Sequence, residues 1–108
     1  MLDKAQFIEV NLRLAASLAA DHGARLGQGA DGFIESRVRA AAEEYAGAQP
    51  DRQAKMLADI DIAIRKLIDA MAASVDTIPG YRIANPGVFG EQTLGAALKS
   101  LCPIWPFC

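Results

Sequence analysis

The chain has 108 residues, of which 52% are apolar and 22% charged, and its formal net charge is -2. This length suits one domain of ordinary size and leaves little room for a second. A slightly acidic chain lacks the positive field that attracts phosphates, so we expect no nucleic-acid partner. No stretch approaches the roughly 18–20 uncharged apolar residues of a membrane-spanning helix.

Charged residues interrupt the beginning of the sequence, which therefore does not resemble a secretory signal peptide. Asp3, Lys4, Glu9 and Arg13 all fall within what would be its apolar region. We therefore expect a cytoplasmic protein, in which cysteines are generally kept reduced.

The first predicted helix covers about 4–22. Asp3 is a favourable N-cap, and Gln6 completes a capping box three residues later. Gly23 provides a natural end. A broad apolar stripe at helical spacing is predicted for this helix, with Phe7, Val10, Leu14 and Leu18 on one face and Ile8, Leu12, Ala15 and Ala19 beside it.

Four glycines crowd the next stretch, where residues 23–32 read GARLGQGADG. Such a density predicts a flexible connection instead of a regular element. A phosphate-binding loop is the functional alternative, but no Lys-Ser or Lys-Thr pair follows and we expect no strand before it. We therefore assign no phosphate site here, and we expect Asp31 to cap the following helix.

Two further helices are predicted over about 32–47 and about 52–75, separated by Gly47 and Pro50. The third is the strongest, since its apolar residues alternate at intervals of three and four over its whole length. Ile62 falls on its opposite side, among Lys55, Lys66 and Asp69. We consider Ile62 a candidate contact for another subunit.

The C-terminal third of the chain changes character. Residues 76–90 are predicted to be irregular because two prolines and three glycines fall among them. A short fourth helix is predicted over 91–101. Few charges occur after Thr77, whereas disordered segments are generally rich in them. We therefore expect this third to pack against a surface, with the helical bundle itself as the first choice.

His22, the only histidine, stands at the end of the first helix. The helix dipole favours an imidazolium there, which is sufficient reason for its position. We find no signature of nucleophilic catalysis and no metal-ligand spacing. We therefore expect no catalytic residue, no cofactor and no metal. A deep pocket that joined His22 to Cys102 or to an acidic side chain would favour an enzyme instead.

The last eight residues, LCPIWPFC, combine the only tryptophan with both cysteines and two prolines. Ile104, Trp105 and Phe107 could plug the bundle, or they could dock into another protein. Cys102 and Cys108 could form a disulfide, act as redox thiols or share a zinc ion with a second chain. The tail could also be the substrate of a modifying enzyme, as in the precursors of ribosomally made peptides that carry a helical leader and a modified core.

The sequence thus predicts an all-α fold, a small three- to four-helix bundle with an irregular, apolar C-terminal segment. We expect a non-enzymatic protein–protein interaction module, which could be an adaptor, a regulatory subunit or a homo-oligomer. Its predicted contact residues are Ile62, Ile104, Trp105 and Phe107. The modified-peptide precursor and the thiol or zinc protein remain open as alternatives.

Overall fold

A computed structural model describes residues 1–102 and 104–107. In these residues the chain forms five helices and two very short strands, and 74% of it is helical. The all-α prediction is therefore confirmed. No helix among the described residues is long and apolar enough to cross a membrane. The elements in chain order are α1 (Lys4–Asp21), β1 (Arg25–Leu26), α2 (Gln28–Ala46), α3 (Pro50–Val75), α4 (Tyr81–Ala84), β2 (Val88–Phe89) and α5 (Glu91–Leu101).

Helix α1 begins with the predicted capping box. The carboxylate of Asp3 accepts from the Gln6 N–H at 2.8 Å, and the Gln6 side chain accepts from the Asp3 N–H at 2.9 Å. The predicted apolar face is wrong in part, because Val10 is 46% exposed. Phe7, Ala15 and Ala19 of the predicted stripe are buried, and the two alanines allow a close approach to the neighbouring helices. The buried positions recur at every fourth residue: Phe7, Asn11, Ala15 and Ala19.

The glycine-rich stretch is not the flexible connection that its composition predicts. Arg25 and Leu26 form β1, which pairs in parallel with Val88 and Phe89 of β2. The N–H of Gly27 extends this pairing with a 2.8 Å hydrogen bond to the carbonyl oxygen of Phe89. Helix α2 then begins at Gln28 with Gly27 as its N-cap, so the predicted start at 32 and the predicted cap at Asp31 are wrong.

The predicted irregular segment 76–90 also contains regular structure, namely α4 and β2. Tyr81 organises it from within the core, where only 3% of the residue is exposed. Its hydroxyl donates to the carbonyl oxygen of Val88 at 2.8 Å and accepts from the N–H of Gly90 at 2.7 Å. These two hydrogen bonds hold the turn that leads from α4 through β2 into α5.

Helix α3 lies at the centre of the fold and packs mainly against α1 and α5. Pro50 occupies its first turn, where the missing N–H costs nothing. Helix α5 occupies the range predicted for the fourth helix. The core of α3 consists of side chains on one face, as its periodicity predicts: Met56, Ile60, Ala63, Ile64, Leu67, Ile68, Met71 and Val75.

Candidate functional site

The C-terminal tail turns back onto the bundle after α5. The N–H of Ile104 donates to the carbonyl oxygen of Leu101 at 2.6 Å, and the N–H of Phe107 donates to that of Ile104 at 2.8 Å. Phe107 is only 3% exposed, and its ring stacks on Phe33 of α2 with 6.2 Å between the ring centroids. Phe107 therefore belongs to the core, and we remove it from the predicted contact surface.

Ile104 and Trp105 lie beside Ile62, so three of the predicted contact residues meet at one place. Together with Asp59 they line a shallow depression of about 250 Å³. Ile62 is 51% exposed, whereas Ile104 and Trp105 are half-buried and pack against the core. We call these four residues the α3–tail patch.

The position of Ile62 follows from the helical period of α3. Ile60 and Ile64 are fully buried, and Ile62, two residues from each of them, points about 160° away from either at ~100° per residue. Lys55 and Lys66 are exposed on the same outer side of the helix. The α3–tail patch is therefore an apolar spot within a charged surface.

The indole of Trp105 is held in place by α2. Its Nε1–H donates to the Glu44 carboxylate, with 3.2 Å between Nε1 and Oε2. Because this polar atom has a partner within the chain, the ring can contact another protein without leaving a buried donor unpaired.

Cys102 is exposed at the C-terminal cap of α5, and its N–H donates to the carbonyl oxygen of Leu98 at 3.1 Å. Cys108 lies outside the described residues, as does Pro103. The disulfide, thiol and zinc roles of the two cysteines therefore stay predictions. No cluster of three or more His, Cys, Asp or Glu side chains suited to a metal ion occurs in the described part of the chain.

His22 borders a second surface feature, a cavity of about 310 Å³ between the ends of α1 and α3 and the segment around β2. Asp76 and Arg82 also line this cavity and form an ion pair at 2.7 Å. Asp69 of α3 does not line the cavity, but it lies near His22, with 3.4 Å between His22 Nε2 and Asp69 Oδ1. The cavity thus brings a histidine together with one acidic side chain, that of Asp76, the combination that would favour an enzyme.

The chemistry of this cavity is limited by its other residues. No Ser, Thr, Cys or Lys occurs among its lining residues in the described chain, so no nucleophile of these types faces His22 there. The side chains of Asp76 and Arg82 are each about 70% exposed to water. Exposed charges in water gain little from one another. Among the described residues, the cavity therefore contains no pair of His22 with a nucleophile of these types.

In the structure a strand, β1, precedes Gly27 and Gly29, contrary to our expectation. The side chain of Glu91 nevertheless fills the space where a phosphate would approach. A Cβ added to Gly29 would lie only 2.5 Å from Glu91 Oε1. Asp31 adds a second carboxylate in the first turn of α2. Two negative groups at this helix start disfavour an anion, and we assign no phosphate site.

The fold and the α3–tail patch define a small all-α protein with a partly exposed apolar surface. Comparison with known protein families, with curated proteins and with solved structures gave no match.

Proposed function

We propose that this protein is a non-enzymatic, cytoplasmic interaction module, and that the α3–tail patch is the surface through which it binds another protein chain. The observation that carries the proposal is that Ile62 and the tail residues Ile104 and Trp105 line one surface depression. Tryptophan is one of the residues most enriched among the central residues of protein interfaces.

The surroundings of the patch support this function. Glu44, Lys55 and Lys66 place charges around its apolar centre, which is the usual arrangement of an interface core and its polar rim. Phe107 anchors the tail in the core, so that Ile104 and Trp105 are held in one conformation before a partner arrives. Preorganisation of this kind reduces the entropy that binding must overcome.

A photo-crosslinking amino acid at position 62, in the cells that make the protein, tests the proposal. We expect covalent adducts with another protein chain, and we expect Trp105→Ala to reduce them. Position 83 provides the matched control, since Ile83 is 90% exposed but is not part of the patch. If position 62 forms no more adducts than position 83, the patch is not a contact surface.

The burial of Phe107 favours an interaction module over a peptide precursor, because a modifying enzyme needs an accessible tail. An intact mass that differs from the encoded one in protein from its natural cells would reverse this preference. The thiol and zinc alternatives are tested by titration of thiols with and without reductant. If two thiols react both with and without reductant and no zinc is bound, both alternatives are excluded.

A further inference from the structure

We propose, building on the function proposed above, that the partner of the α3–tail patch is a second copy of this chain. In this arrangement the two α3 helices lie antiparallel and cross at Ile62. The charges on the outer face of α3 are ordered so that this face is complementary to itself when one copy is turned around.

Five residues define this face, and they recur at intervals of three and four along the helix: Lys55, Asp59, Ile62, Lys66 and Asp69. Ile62 is their midpoint. Lys55 and Asp69 each lie seven positions from it, on opposite sides, while Asp59 lies three before it and Lys66 four after it. A two-fold axis at Ile62 therefore exchanges positions that carry opposite charges.

The angular positions of these side chains around the axis of α3 agree with this pairing. At ~100° per residue, Lys55 and Asp69 both lie within about 20° of the direction of Ile62. Asp59 and Lys66 lie on the same flank of the helix, about 60° and about 40° from that direction. The two-fold axis keeps each flank on its own side, so Asp59 meets Lys66 of the second copy and Lys55 meets its Asp69.

Each of these two contacts occurs twice, so four pairs of opposite charge surround the contact between the two Ile62 side chains. A parallel arrangement would instead set every charge on the face against its own duplicate, Lys55 against Lys55 and Asp69 against Asp69. Like charges placed opposite each other are unfavourable. The charge order therefore selects the antiparallel orientation.

The residues of this face are available for such contacts. The side chains of Lys55 and Asp69 are 72% and 77% exposed. Lys55 bonds to Asp59 at 2.8 Å within its own helix, but exposed pairs at this spacing are weak and can exchange partners. Trp105 lies near Asp59 and Ile62 and adds apolar area beside the second helix.

The contact is small, because the face extends over about 21 Å of helix at ~1.5 Å per residue. Interfaces of this size are generally weak and transient. We therefore expect a dissociation constant in the micromolar range, with a dimer that weakens as salt screens the four charge pairs.

Sedimentation velocity of the full chain, over a range of concentrations and at low and high salt, measures this dimer. Lys66→Glu and Asp59→Lys should each weaken it by about tenfold or more, because each variant alone creates like-charge contacts. An equimolar mixture of the two variants should restore the dimer, since every contact in the mixed pair joins opposite charges. Lys99→Glu on α5 is the control, because it changes the net charge by the same amount as Lys66→Glu but lies outside this face and should leave dimerisation unchanged.

Thermal unfolding of each variant shows that it is folded, so that a loss of dimer reports on the contact. If the unmodified protein stays monomeric at the highest concentration, or if mixing the variants restores nothing, the second copy is not the partner. Adducts from position 62 to a different protein would then leave the proposed function standing. An absence of adducts from position 62 would overturn the proposed function as well.

Discussion

The indole N–H of Trp105 donates a hydrogen bond to the Glu44 carboxylate, at 3.2 Å, and so joins the tail to α2 at the surface. Two residues later, Phe107 stacks on Phe33 of the same helix within the core. The tail thus has one polar and one apolar attachment to α2. Burial of a large aromatic ring contributes far more to stability than an exposed hydrogen bond does, so we expect Phe107 to hold the tail.

We predict that Phe107→Ala lowers the free energy of unfolding by about 2–4 kcal/mol, because it leaves a cavity beside Phe33. Urea denaturation followed by far-UV circular dichroism measures this change. Ile83→Ala, at a residue that is 90% exposed, should change stability by less than about 0.5 kcal/mol. Equal effects of the two substitutions would show that the tail is not part of the core.

Trp105 is the only tryptophan of the chain, so its fluorescence reports on the tail alone. We predict that fluorescence and circular dichroism show the same urea midpoint in the unmodified protein, because the tail unfolds together with the helices. In Phe107→Ala we expect a red-shifted emission and stronger acrylamide quenching without urea, while helicity is retained. A tail that is quenched equally in both proteins would contradict this prediction.

The hydroxyl of Tyr81 makes two hydrogen bonds to the backbone, with Val88 and with Gly90. We predict that Tyr81→Phe lowers the free energy of unfolding by about 1–3 kcal/mol, since it leaves a part-buried N–H donor and a part-buried carbonyl acceptor without this partner. Tyr45→Phe is the comparison, because the Tyr45 hydroxyl makes a single hydrogen bond, to the carbonyl oxygen of Leu2. Chemical denaturation of both variants should show the larger loss at Tyr81.

We predict that alanine substitution changes stability in opposite directions at Gly23 and Gly32, although the space around the two glycines is equally open. Nothing lies within 4 Å of a Cβ added at Gly23 or at Gly32, but Gly23 has a φ of +71°. Gly32 lies within α2, where alanine is preferred, so Gly32→Ala should raise stability by about 0.5–1 kcal/mol. Gly23→Ala should lower it by about 1–2 kcal/mol, because of its left-handed backbone. Thermal unfolding of the two variants measures both signs, and the same sign for both would contradict the prediction.

Much of the helical structure follows from short-range patterns. The capping box at Asp3 and Gln6 starts α1 as predicted, and the buried side of α3 follows its apolar period. Both patterns depend on residues within one or two turns of each other, which is why a sequence contains enough information to predict them. The position of Ile62 outside the core of α3 follows from the same period.

The glycine-rich stretch shows where such patterns fail. Its composition favours a flexible connection, yet Gly27 bonds to Phe89 and the stretch forms a strand and the start of a helix. The partner strand lies far away in the sequence, so no local pattern contains the contact. A marked run of glycine can therefore signal close backbone approach as well as flexibility.

The sequence by itself determined the helical class of this protein, the outward direction of Ile62 and the apolar character of the tail. Only the tertiary structure decided that Phe107 is buried while Ile104 and Trp105 lie beside Ile62. The tail is short and contains prolines, so it has no helical or strand period that would assign its side chains to a buried or an exposed side. Which of its side chains are buried and which are exposed depends instead on the space that α2 and α3 leave between them.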